Sequence, residues 1–426
     1  MNRRLPVVPV YLAYMAAGGF LVSMMSILYS VFLILRLGFN PFQLVLMGTI
    51  LEGSYLLCEL PTGVIADMVS RRTMLIVGLF GTGLSFALLG LSRGFGTAAI
   101  SQVMFGFFAA CSSGSDVAWL TDEVGEESSR HLYLKGEQFS SLARFVGIFV
   151  GVELATISLR LPMVASGVGF CVLALGLVVV MPEDHFARPE REKGKRIHHS
   201  FLTTLNRGIR DARAHPVLLL ILGTAALHGA STEGFDRLAD LHLLNTGLPA
   251  FGHLSRLWWF AILDAVSLLV GFGALAYVKR RASLSGHASV ARVLAVIDVS
   301  LVVGFVVFAL AGRFWIAMIA FWVVGGLRSV REPVSIAWIN QGLDPGTRAT
   351  INSMGAQADA VGQATGGPVL GVIANSVAVP AAIVVSGLVQ LPSLLLYRRA
   401  ITRGSAGTLE PEQIESRLDL DDESVG

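Results

Sequence analysis

The stretch that decides the fold runs from Leu60 to Thr73 and reads L-P-T-G-V-I-A-D-M-V-S-R-R-T. It is a short charged hairpin set between two long apolar runs. Asp67 follows Gly63 by four residues, and Arg71 and Arg72 follow Asp67 by four and five. A carboxylate beside two guanidinium groups is costly to keep where an apolar helix meets water, unless it has a task there. The reading of the chain therefore turns on whether the flanking runs cross a bilayer.

Composition says that they do. Of 426 residues, 54% are hydrophobic and 15% charged, against about 25% charged in an ordinary soluble domain. The 46 glycines and 24 phenylalanines suit membrane helices, where small residues let backbones approach closely. The net charge of +2 comes from basic residues parcelled into loops, which argues against a nucleic-acid partner. Cys58, Cys111 and Cys171 lie inside apolar stretches, so a disulfide framework is not expected. The uncharged run from Leu5 to Leu35 is too long for a signal peptide and reads as a retained first membrane helix.

A spanning helix needs roughly 20 mostly apolar residues. Twelve segments qualify, near 8–35, 42–66, 73–92, 97–121, 136–159, 161–181, 216–240, 257–278, 293–312, 314–338, 350–374 and 376–397. Turn signals separate them, among them Gly38-Phe39-Asn40-Pro41 and Asp344-Pro345-Gly346. Placing both termini in the cytoplasm puts 23 of the 32 lysines and arginines inside, five outside and four within spans, as the positive-inside rule requires. The expected location is the inner (cytoplasmic) membrane. The domains read as a six-span bundle over 1–181, a cytoplasmic linker over 182–215, a second bundle over 216–400 and a disordered acidic tail over 401–426. Within the linker, Ser200 to Ala214 has the spacing of an interfacial amphipathic helix.

The hairpin resembles the G-x-x-x-D-[RK]-x-G-[RK]-[RK] motif joining helices 2 and 3 in the major facilitator superfamily of transporters. Gly63, Asp67, Arg71 and Arg72 match; Met68 and Ser70 depart from a basic residue and a glycine. The resemblance implies an all-α integral membrane fold of twelve helices in two pseudo-symmetric bundles. It also implies that Asp67 meets the start of span 11, at Arg348-Ala349-Thr350, and gates the cytoplasmic side. A topology signal with a loop salt bridge is the plainer alternative.

The halves also align with each other. Ala118-Trp119-Leu120 corresponds to Ala337-Trp338-Ile339, Gly147 and Gly151 to Gly362 and Gly366, and Gly63 to Gly273. Spans 3, 6 and 12 carry no charge and span 9 carries only Asp298. In the family these four helices are peripheral, which accounts for the avoidance.

Candidate functional charges lie elsewhere. Glu59, Asp116, Arg144, Arg328, Arg331, Glu332 and Asp359 fall on spans 2, 4, 5, 10 and 11, all read as lying in the cytoplasmic half. They form either a switch across the halves or permanent pairs, such as Arg328 with Glu332 and Asp116 with Arg144. Proton coupling needs a carboxyl group able to gain and lose a proton inside the membrane. Glu52, Asp116 and Glu153 are candidates, followed by Asp264. Glu233, Asp236 and Arg237 mark the outer mouth, in a capping or gating role. Gly362, Gly366, Gly367 and Pro368 provide helix packing and a kink. That run resembles the glycine–proline motif of proton antiporters, which in them belongs to helix 5 and not to helix 11. The arginine usual in helix 4 of those antiporters has no counterpart around Gln102.

No nucleotide-binding signature, metal-ligand cluster or nucleophile constellation is present in the sequence, so neither an enzyme nor a cofactor is expected. The function expected is proton-coupled export of a small amphipathic or lipophilic compound by a monomer. Import of a polar nutrient, a lipid flippase and a non-transporting receptor are the alternatives.

Overall fold

Lipid offers no hydrogen bonds to a backbone, so a chain of long apolar segments without strand alternation must satisfy its amides inside helices. The computed structural model describes residues 6–185, 216–281, 286–341 and 345–406. In it twelve helices follow one another: α1 (Val7–Arg36), α2 (Pro41–Val69), α3 (Arg71–Leu91), α4 (Phe95–Val124), α5 (Glu126–Ile157), α6 (Leu161–Val180), α7 (Pro216–Thr246), α8 (Trp258–Arg281), α9 (His287–Ala309), α10 (Phe314–Ile339), α11 (Pro345–Ser376) and α12 (Val379–Thr402). Among the described residues eleven of these are long and apolar enough to cross a membrane. The remaining one, α11, is long enough but interrupted by Asn352, Gln357, Asp359 and Gln363. The interfacial helix expected over Ser200–Ala214 lies outside the described residues, as does the expected tail beyond residue 406; residues 401–406, assigned to that tail from the sequence, continue the last helix.

Local chemistry sets the helix ends. Asn40 caps α2 by accepting from the Gln43 amide at 2.9 Å, while Gln43 Oε1 accepts from the Asn40 amide at 3.1 Å, a capping box with Pro41 at the first helical position. The turn between α2 and α3 is extended at Ser70, whose hydroxyl accepts from the Thr73 amide at 2.9 Å. Serine is thus accommodated where the family motif has glycine, and it caps α3. α4 breaks at Ser113 and restarts after Gly114, whose φ of +69° is the left-handed conformation glycine adopts most readily.

The face bearing the Ser70 hairpin is called here the hairpin face, and the opposite one the far face. Within the first bundle, Gly147 and Gly151 of α5 sit against α1. A Cβ on Gly147 would clash with the Phe20 carbonyl, and one on Gly151 would lie 2.5 Å from the Met24 carbonyl. Within the second, Gly362 and Gly366 of α11 sit against α7 at Ala226 and Ala230 in the same way. The sequence alignment of the halves therefore pairs residues with the same packing duty. Trp119 and Trp338 repeat the pattern: Trp119 donates to the Pro182 carbonyl beyond α6 at 2.7 Å, and Trp338 packs on Tyr397 of α12.

The bundles meet through α1, α2 and α5 on one side and α7, α8 and α11 on the other. The close approaches fall toward the far face. Phe149 lies 6.1 Å from Trp258, a Cβ on Gly367 would lie 2.5 Å from Thr49 Oγ1, and one on Gly371 would touch Phe42 at 3.2 Å. Ile27, Leu28, Val31, Val45, Ile148 and Val152 join the apolar core of the second bundle there.

In the middle of the peripheral helices α3, α6, α9 and α12, charge avoidance has one exception among the described residues. Asp298 of α9 is 1% exposed. It faces inward to α10 and α12, where Arg331 Nε donates to it at 2.7 Å, Tyr397 at 2.7 Å, Gln390 at 2.6 Å and Ser393 at 3.1 Å.

Candidate functional site

Between the halves lies a cavity of about 450 Å³. α1 contributes Ser26, Tyr29 and Ser30, α3 Phe86, and α4 Gln102 and Phe105; from the other half come Phe235, Asp236, Arg237 and Asp240 of α7, Phe260 and Asp264 of α8, and Phe321 and Arg328 of α10. The charges all come from the second half. The first half supplies hydroxyls, an amide and aromatic rings. Of the aromatic residues prominent in the spans, Tyr29 reaches this wall. Trp119, Trp338 and Phe32 are core, and Trp258 packs at the far-face interface.

Asp236 and Arg328 form a two-point pair across α7 and α10, with Nη1 on Oδ1 and Nη2 on Oδ2 at 2.8 Å. One turn of α7 lower in number, Glu233 accepts from Arg237 Nε at 3.0 Å. Glu233 is buried, and its second oxygen has no partner among the described residues. Gly48 of α2 lies directly on this pair, and a Cβ there would clash with both the Glu233 carboxylate and the Arg237 guanidinium. These residues sit near the middle of α7 and line or abut the cavity, deeper than the outer mouth expected of them.

The other candidate charges separate into different surroundings. Glu52 of α2 is half-buried, one turn from Gly48, which lies against the Glu233–Arg237 pair. It is thus the first-half carboxylate that faces the second-half charges. Asp359 accepts from Gln363 at 2.8 Å in its own helix. Arg331 pairs with Asp298 inside the second bundle, so in this conformation it makes no switch across the halves. Glu332 is exposed and is not the partner of Arg328. Asp116 accepts from Tyr14 at 3.3 Å and from the Val117 amide at 2.8 Å. The expected Asp116–Arg144 pair is not formed, and Arg144 is exposed. Glu59 lies 3.2 Å from the Tyr55 hydroxyl, and Glu153 is exposed.

At the hairpin face, Arg71 reaches α4, donating to Asp122 at 2.7 Å and to the Ala118 carbonyl at 3.0 Å. Glu183, just past α6, accepts from the Ser70 hydroxyl at 2.8 Å and from the Arg72 amide at 3.1 Å. The expected contact between Asp67 and the start of span 11 at Arg348 rests on side chains that are not among those described. Gly63 has open space around it.

Two half-bundles, a cavity on their shared axis and a charged hairpin at one face form the architecture that the sequence motif implied. The model of the Major Facilitator Superfamily matches residues 10–297. The chain belongs to the major facilitator superfamily. A relative within the superfamily, the uncharacterized MFS-type transporter YxaM of Bacillus subtilis (strain 168), is 19% identical over 393 residues, covering 91% of this chain and 94% of its own. Among solved structures, the nucleoside transporter NupG superposes with a TM-score of 0.74 at 11% identity, covering 93% of this chain and 99% of that one. A bacterial homolog of the human lysosomal transporter Spinster, inward-facing and occupied, gives 0.71 at 12% identity over 93% and 96%. The peptide transporter POT in complex with sulfate gives 0.69 at 14% identity over 93% of each chain. At such identities the superpositions speak for the fold. As a superfamily member the protein is a small-molecule transporter and not an enzyme. The sequence features that pointed to the site were the span-7 charges and Glu52. The sequence singles out neither Asp240 nor the cavity phenylalanines; Asp298, a lone aspartate in an otherwise uncharged span, is itself a signal of a buried partner.

Proposed function

We propose that this superfamily transporter carries out proton-coupled export of a small amphipathic or lipophilic compound by alternating access. The observation that carries the reading is the cavity between the halves, walled by aromatic rings and bearing charges from one half only. With the hairpin face in the cytoplasm, as the arginine and lysine distribution indicates, the packing of Gly48, Thr49 and Phe42 on α7 and α11 closes the cavity to the exterior. Export requires those contacts to part while the hairpin face closes. Asp67, Arg71 and Arg72 are the proposed gate at that face. Glu52, one turn from Gly48 where α2 lies on the Glu233–Arg237 pair, is the proposed coupling carboxylate of the first half.

The second reading is import of a polar nutrient. Its support is the polarity of the cavity's second-half wall and the fold shared with nucleoside and peptide transporters. A toxicity panel in an efflux-deficient bacterial host distinguishes the two, comparing the intact protein with Asp236→Asn and Asp67→Asn at matched membrane levels. Protection against lipophilic compounds that both substitutions abolish is the outcome expected of an exporter. Absence of protection, with concentrative uptake of a polar solute into the same cells, moves the assignment to import.

A further inference from the structure

Once the cavity's ion pairs are matched, two of its carboxylates are left over. Arg328 is taken by Asp236 and Arg237 by Glu233. Asp240 of α7 and Asp264 of α8 both line the cavity, are half-buried and have no ion-pair partner among the described residues. Each lies in the far-face third of its helix. Across the interface Ser30 of α1 lines the same cavity. Two carboxylates that share one low-dielectric cavity are costly to keep ionised together without a positive counter-charge.

The same cavity carries independent signs of a missing guest. Tyr29 and Ser267 both line it, and the hydroxyl oxygen of each is closed to solvent with no hydrogen-bond partner. Buried polar atoms of this kind are uncommon unless a ligand or water completes them. The walls around the carboxylates are aromatic, with Phe235, Phe260 and Phe321 from the second half and Phe86 and Phe105 from the first. Aromatic faces and an uncompensated carboxylate together are the chemistry that receives an organic cation.

We propose that Asp240 and Asp264 form a shared site that holds either protons or a lipophilic organic cation, so that arrival of the cation expels the protons. This rests on the export reading above and names its substrate class. The exchange balances: O–H bonds on one or both carboxyl groups break, the protons pass to water, and the cation's charge replaces theirs. No other bond changes. The remaining titratable groups around the site are Tyr29 on α1, Glu52 on α2, Asp236 and Arg237 on α7, Arg328 on α10 and Asp359 on α11. The two arginines among them are already paired with Asp236 and Glu233, and of the carboxylates without an ion pair Asp240 and Asp264 are the two that line the cavity.

The test uses the purified full chain in lipid nanodiscs, with tetraphenylphosphonium as the cationic probe and triphenylphosphine oxide as the neutral comparator. Binding is measured by calorimetry, and proton release in weakly buffered solution. Tetraphenylphosphonium is expected to bind with release of about one to two protons, and to bind more tightly as pH rises, by up to roughly tenfold per unit for each proton displaced. Asp240→Asn and Asp264→Asn are each expected to weaken it by roughly tenfold or more and to cut the proton release, while Asp240→Glu retains both. Binding without proton release by the intact protein overturns the inference, and that measurement does not depend on any variant folding. Binding of the phosphine oxide alone also overturns it but leaves lipophilic export standing. Binding of neither probe removes both.

Discussion

Arg331 and Asp298 are joined at 2.7 Å in a site where the guanidinium is 5% and the carboxylate 1% exposed. The pair ties α10 to α9, and Tyr397, Gln390 and Ser393 bring in α12. Three helices of the second bundle thus share one buried polar knot and are expected to move as a unit when the halves rock.

Removing one member of this knot strands the other charge. Asp298→Asn is expected to cost about 3–5 kcal/mol, because Arg331 is left buried and unpaired. The double variant Asp298→Leu with Arg331→Met is expected to be more stable than either single neutral replacement. Thermal unfolding in detergent, with the double-mutant cycle computed from it, decides this; additive losses would show that the pair is not coupled.

Helix packing gives a second prediction. Gly362→Ala and Gly147→Ala place a methyl group against the backbone of α7 and α1 respectively, and each is expected to cost about 1–3 kcal/mol through overpacking. Gly63→Ala and Gly273→Ala, which meet open space, are expected to be tolerated. Comparing melting temperatures of the four variants checks both statements at once.

At the hairpin, Ser70→Ala removes the cap of α3 and its bond to Glu183. The expected loss is about 0.5–2 kcal/mol, localised enough to read by hydrogen exchange. Protection of the Thr73 amide should fall, while amides in the middle of α3 keep theirs.

The Asp236–Arg328 pair is a prediction about transport. Asp236→Asn and Arg328→Gln should each abolish turnover. The exchanged pair, Asp236→Arg with Arg328→Asp, should restore part of it, because the two-point geometry is symmetric in its charges. Failure of the exchange with intact folding would mean that one of the two groups contacts substrate directly.

The far-face seam can be locked. In a background lacking Cys58, Cys111 and Cys171, Thr49→Cys with Gly367→Cys brings two thiols to a point where a Cβ on residue 367 would lie 2.5 Å from the Thr49 hydroxyl. Oxidation should arrest transport and reductant restore it. Continued transport by the oxidised protein would show that this seam stays closed throughout the cycle.

Much of this molecule was legible before folding. Twelve apolar runs, turn residues such as Asn40-Pro41, and the matched glycines at 147 and 362 determined a two-bundle membrane fold, because lipid allows the backbone few solutions and small residues mark where helices touch. Pairing was not legible. Arg328 sits four residues from Glu332, yet its partner is Asp236, 92 positions away; Arg331 answers to Asp298 and not to the other half. A sequence shows which charges a membrane must neutralise. Only the tertiary structure shows which of them neutralise one another, because that depends on helix rotation and crossing, and so which two carboxylates, Asp240 and Asp264, remain unpaired in the cavity.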